Sequence, residues 1–97
     1  MTIEEIKEDL KDVRYYYSRK KAFADAEQII GTSSIVDKVK RYNETVRDAP
    51  PRLYDVYNGL YVNNLTQEGL AFDMGYTTVY IQKLNKELLA FLQARIK

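Results

Sequence analysis

Apolar residues recur at intervals of three and four in five separate stretches of this chain, the first four closed by Gly, Pro or Asn. That periodicity predicts helices and no convincing strand. The first stretch opens on Thr2-x-x-Glu5, a capping box. Its helix is expected over residues 2–30, with Gly31 ending it. Ile3, Ile6, Leu10, Val13 and Tyr17 alternate three and four apart, as in a heptad seam. The apolar stripe then moves to Tyr16, Phe23, Ala26 and Ile30. The front half of the helix therefore reads as an oligomer interface that pairs two chains into a homodimer. Packing of the whole helix within one chain is the plainer alternative. Three consecutive tyrosines, 15 to 17, cannot share one helical face, so at least one is expected at the surface or at a partner.

Gly31-Thr32-Ser33-Ser34 is the first break. A second helix follows, with Ile35, Val36, Val39, Tyr42 and Val46 on its apolar side. Lys38, Lys40, Arg41 and Arg47 occupy the other side, available to phosphate or to solvent. Ala49-Pro50-Pro51 is a firmer break, because Pro50 has no N–H and restricts the residue before it. Pro51 suits the first turn of a third helix, over residues 51–62, which buries Leu53, Val56, Tyr57, Leu60 and Tyr61. Gly59 inside that helix costs about 1 kcal/mol relative to Ala. It is expected to permit a close neighbour. Asn63-Asn64 forms the next turn, since Asn tolerates the left-handed conformation.

The stretch 65–89 carries the most specific pattern. Thr66 is an N-cap, Leu70 and Met74 share a face, and Ala71 is small enough for another helix to approach. Gly75 supplies the positive φ of a tight turn, Tyr76 fills the corner, and Thr77 caps a further helix. That helix buries Ile81, Leu84, Leu88 and Leu92 and turns Thr78, Gln82, Lys83, Asn85 and Lys86 outward. Helix, glycine turn, helix with a polar outer face is the helix-turn-helix plan. The same spacing also suits an ordinary helical hairpin. The expected fold is all-α: a long N-terminal helix and a second helix, then a C-terminal three-helix helix-turn-helix unit. The expected domains are a helical arm over 1–48, for oligomerisation or partner docking, and the helix-turn-helix domain over 49–97.

Composition changes this picture at a few points. The chain has 97 residues, enough for one small domain, and a net charge of +1, which opposes strong non-specific binding to nucleic acid. It has no Cys and no His, which removes disulfides, imidazole catalysis and most zinc chemistry. Glu5 with Asp9, or Glu8 with Asp12, has a four-residue metal-ligand spacing. Acids near a helix start are expected without any metal, so a solvated face is the better reading. No Gly-rich phosphate loop and no paired acids in a cleft are visible, so neither an enzyme nor a cofactor nor a small-molecule substrate is expected. No leader or membrane-spanning stretch is recognisable, and a cytoplasmic protein is expected.

The run from Pro51 through Tyr61, Leu65-Thr66, Glu68, Ala71, Gly75, Thr77, Ile81 and Leu84 resembles the region-four helix-turn-helix of sigma factors. The likeness covers roughly the second half of the chain. With a long helix ahead of it, the arrangement looks like small phage-encoded transcription regulators of the ArpU and RinA type. The resemblance implies a sequence-specific, duplex-DNA-binding transcription regulator working in a bacterial host cell, with RNA polymerase as a further partner. Carried over, the base-reading positions fall on Thr78, Val79, Gln82 and Lys83. Thr77 would cap the helix and meet phosphate, and Tyr80, Asn85 and Lys86 would contact the backbone. Sigma factors usually carry Arg and Glu where this chain has Thr78 and Val79, so a guanine-reading fork is missing. Two rivals follow. A sigma-like fold can serve as a protein-interaction module without touching DNA. A phage structural or packaging oligomer would also fit a small helical chain.

Overall fold

The computed structural model describes residues 1–19 and 34–96. Five helices and no strand are found among the described residues: α1 (Ile3–Ser18), α2 (Ser34–Val46), α3 (Pro51–Tyr57), α4 (Gln67–Met74) and α5 (Thr78–Arg95). None is long and apolar enough to cross a membrane.

Both halves of the capping box form at α1. The Glu5 N–H donates to Thr2 Oγ1 over 3.1 Å, and the Thr2 N–H donates to Glu5 Oε1 over 3.0 Å. The helix stops at Ser18, well short of the expected reach to residue 30. Arg19 leaves the helical region with φ −129° and closes the last turn on the carbonyls of Tyr15 and Tyr16. The seam runs out there, because Ser18 and Arg19 are polar and exposed. The expected stripe at Phe23, Ala26 and Ile30, and the break at 31–33, lie outside the described residues.

The seam itself is used differently from the expectation. Ile6, Leu10 and Val13 are completely or almost completely buried within this chain, and Ile3 and Tyr17 pack at the edge of the same core. Ile6, Leu10 and Val13 are therefore core residues of this chain and not a free surface, while Ile3 and Tyr17 stay partly exposed. The same buried cluster takes in residues from both sides of Pro50: Val39 and Val46 of α2, Val56 and Leu60 beyond the proline, and Leu88 and Leu92 of α5. Pro50 separates helices, but one core continues across the expected boundary at 48/49. Each of those seam side chains contributes about 1.5–3 kcal/mol by leaving water.

Two polar ties fix α1 in rotation. On one flank Lys38 of α2 bridges Asp9 at 3.1 Å and Asp12 at 2.6 Å, and the buried Tyr42 hydroxyl donates to Asp9 over 2.6 Å. On the other, Arg14 Nε donates to Asn64 Oδ1 over 3.0 Å. A third link crosses the centre: Tyr57 donates to Asn43 Oδ1 over 2.6 Å, and Asn43 Nδ2 donates to the Tyr17 hydroxyl over 2.8 Å.

After Tyr57 the chain widens into a π turn, Asn58–Val62, in which the Asn63 N–H reaches back five residues to the Asn58 carbonyl at 2.8 Å. Asn64 then takes φ +57°, the left-handed value anticipated for this turn. The Leu65 N–H closes onto the Gly59 carbonyl at 2.9 Å, which sets the start of α4.

Candidate nucleic-acid interface

Caps and one glycine fix the geometry of α4 and α5. Thr66 Oγ1 accepts the Gly69 N–H at 2.9 Å, and Thr77 Oγ1 accepts the Tyr80 N–H at 3.1 Å. Between the helices Gly75 adopts φ +72°, and the Tyr76 N–H bonds the Ala71 carbonyl at 2.8 Å. Leu70 and Ala71 are buried. Ile81, Leu84 and Leu88 bury the inner face of α5 as expected. Tyr76 does not fill the corner. It lies at the surface with its ring edge-on to Tyr80, 4.8 Å between centroids.

Spacing on α5 then decides which side chains project. Val79, Gln82, Lys83 and Lys86 are exposed and fall on the side opposite the buried stripe. Thr77 is exposed but is engaged as the cap. Thr78 is half-buried. Tyr80 is half-buried too, and its hydroxyl accepts Arg52 Nη1 at 2.7 Å. Asn85 is not a free backbone-contacting group, because its Oδ1 accepts the Tyr61 hydroxyl at 2.7 Å. Burial pushes the Tyr61 phenol above its ordinary pKa, so it remains a donor and braces α5 against the π turn.

Two open grooves flank this ridge. On the α1 side, one groove is lined by Lys7, Gln67, Gln82 and Lys86 with the aliphatic Ile3 and Leu89. A hollow next to it is lined by Arg14, Thr66, Glu68, Thr78 and Gln82. On the α3 side the groove carries Arg52, Tyr80, Lys83 and Glu87. Gln82 thus stands with cations on either hand: Lys7, Arg14 and Lys86 to one side, Arg52 and Lys83 to the other. The acids Glu68 and Glu87 line the hollow and the α3-side groove together with these cations.

Among the cations expected on the second helix, Lys38 is consumed by Asp9 and Asp12, and those carboxylates hold its ammonium pKa above the ordinary value. Lys38 is therefore a clamp between helices and is not available to phosphate. Arg47 lines a separate hollow with Pro51 and Tyr54, and Lys40 and Arg41 are exposed on α2.

Four residues of this surface were missed in the sequence. Lys7 and Arg14 each follow a seam residue by one position, which puts both on the same flank of α1, so their placement was readable from the wheel. Phe72 falls off the face shared by Leu70 and Met74, and it is 87% exposed beside the turn. Arg52 follows Pro51 without any local signal, and only the packing of α3 on α5 brings it to Tyr80. No family model, no curated protein and no solved structure matches the chain.

Proposed function

We propose that this protein binds duplex DNA through the N-terminal half of α5 and regulates transcription from the bound site. The observation that carries the reading is the ridge Val79-Gln82-Lys83-Lys86, projecting between two cation-lined grooves on a capped helix-turn-helix. An α-helix with its side chains is roughly 10–12 Å across and the major groove is about 12 Å wide, so α5 fits there. Gln82 is suited to the N6 and N7 edge of adenine, Lys83 to guanine or phosphate, and the Val79 methyls to a thymine methyl. Lys86 and Arg52 supply phosphate contacts that set register. The regulatory part of the reading rests on the resemblance of residues 51–92 to the sigma-factor region-four plan.

A second reading has its own observation. Phe72 is 87% exposed and Val79 73% exposed beside the same turn, an apolar pair that suits a protein surface such as RNA polymerase. The two readings separate in one titration. Fluorescence anisotropy with a mixed pool of duplex DNA, at low and moderate salt, is run on the wild type and on Gln82→Ala/Lys83→Ala. Salt-sensitive binding is expected, and the variant loses about 1–3 kcal/mol on the preferred sequence, the value of one good base pairing. Equal binding by the variant, or no wild-type binding at low salt, overturns the DNA reading.

A further inference from the structure

We infer that α1 is a wall of the DNA site, with Lys7 and Arg14 holding the phosphate backbone of one strand while α5 lies in the groove. The inference rests on the DNA reading above and extends it to a helix outside the helix-turn-helix.

Charge is sorted around α1. The buried stripe Ile6, Leu10 and Val13 fixes its rotation. Asp9 and Asp12 fall on the flank that meets α2, where Lys38 and the Tyr42 hydroxyl take them up. Lys7, Lys11 and Arg14, spaced four and three apart, fall on the other flank. Lys7 and Arg14 reach the grooves that contain Gln82. The net charge of +1 hides part of this separation: Asp9 and Asp12 are taken up by α2, while Glu4 and Glu8 stay exposed and pair with Lys7 and Lys11.

The two cations are held differently, and both ways suit phosphate. Arg14 is anchored through Nε on Asn64 Oδ1 at 3.0 Å and through Nη2 on the carbonyl oxygens of Asn64 at 3.4 Å and Leu65 at 3.5 Å. Its Nη1 makes no bond among the described residues. A guanidinium already fixed in place gives up little further freedom when it meets an anion. Lys7 has only a loose 3.7 Å pair with Glu4, whose side chain is 83% exposed. Such exposed pairs contribute little, so a phosphate displaces the carboxylate readily. Seven residues of helix separate the two cations by about 10 Å, the axial span of roughly three phosphates on one strand. Arg52 and Lys83 face the opposite strand across α5.

The test is a salt series of anisotropy titrations on duplex DNA of several sequences. Lys7→Glu, Arg14→Gln and the pair are compared with Lys40→Glu, which alters the same charge on α2 away from both grooves. Circular dichroism checks folding. Because Arg14 braces the Asn64 turn, Lys7→Glu alone carries the test if Arg14→Gln is unstable. The pair is expected to weaken binding about tenfold on every sequence alike, and to make the slope of log K against log salt shallower by roughly one to two. Sequence preference stays as in the wild type, and Lys40→Glu has much the smaller effect. Wild-type affinity and slope in folded Lys7→Glu, or an equal loss in Lys40→Glu, overturns the role of α1 and leaves the DNA reading in place. Absence of wild-type binding at low salt overturns both and directs attention to a protein partner at Phe72 and Val79.

Discussion

At Gly59 the missing side chain sets how closely α4 approaches the π turn. A Cβ there would overlap both Cδ atoms of Leu70, a buried side chain of α4. Two effects of opposite sign meet in Gly59→Ala. Helix propensity favours Ala by about 1 kcal/mol. Overpacking a filled core costs about 1–3 kcal/mol, and Leu70 has no solvent to swing into. A net loss of stability is expected, read as a lower urea midpoint, with partial recovery in Gly59→Ala/Leu70→Val. A midpoint equal to or above that of the wild type would show that the contact is not tight. Only half of this was visible in the sequence. A glycine inside a predicted helix signals a close approach, but its neighbour lies eleven positions away and is set by tertiary packing. Gly75 differs: its φ of +72° is a local demand of the turn, and the flanking caps announced it.

At the scale of elements, α1, α2 and α3 are tied by groups that keep their protons longer in the fold than outside it. Burial first, and the Asp9 carboxylate second, raise the Tyr42 phenol above its ordinary 10.0. Burial likewise raises Tyr57. The hydrogen bond to Asp12 raises the Lys38 ammonium above 10.5 despite partial burial. For each, the folded pKa exceeds the unfolded one, so its stabilising share is complete below the unfolded value and is lost as pH rises past it. Urea midpoints are expected to stay level up to about pH 10 and then to fall, with phenolate absorbance from the buried tyrosines appearing together with unfolding. Tyr42→Phe should make that fall shallower, and at neutral pH it costs about 1.5–3 kcal/mol for the lost bond to a carboxylate. Ionisation of all nine tyrosines near pH 10 without unfolding would contradict this arrangement. The helix types and their apolar faces were legible because periodicity is local. The Asp9-Lys38-Tyr42 knot was not, since a row of acids at a helix start looks the same whether it faces water or a lysine on another helix. The α5 ridge was legible for the same local reason, whereas the bonds that engage Tyr80 and Asn85 were not, because their partners, Arg52 and Tyr61, lie on other elements.

On the scale of the whole molecule, a heptad seam specifies burial without specifying in which chain the burial occurs. Ile6, Leu10 and Val13 share one buried cluster with Leu60, Leu88 and Leu92 of the same chain, so α1 closes the core from which α5 projects. That arrangement makes a sharp distinction for Leu10→Ala. If the seam were an interface between chains, the substitution would weaken association and its cost would depend on protein concentration. Here Leu10 is 1% exposed within one chain, so the loss is a core cavity worth about 2–5 kcal/mol. The urea midpoint is expected to drop by the same amount across a wide range of protein concentrations, with sedimentation showing no change in mass. The helix-turn-helix should unfold in the same transition as α1, because the core has no division at Pro50. A concentration-dependent midpoint, or a helix-turn-helix that survives the loss of α1, would restore the view of α1 as a separable arm. The stakes reach the proposed function, since the burial that places Leu10 under α5 also turns Lys7 and Arg14 toward Gln82. Loosening the core in Leu10→Ala should therefore weaken DNA binding even though Leu10 touches neither groove, and lowering the temperature until the variant is fully folded should return it.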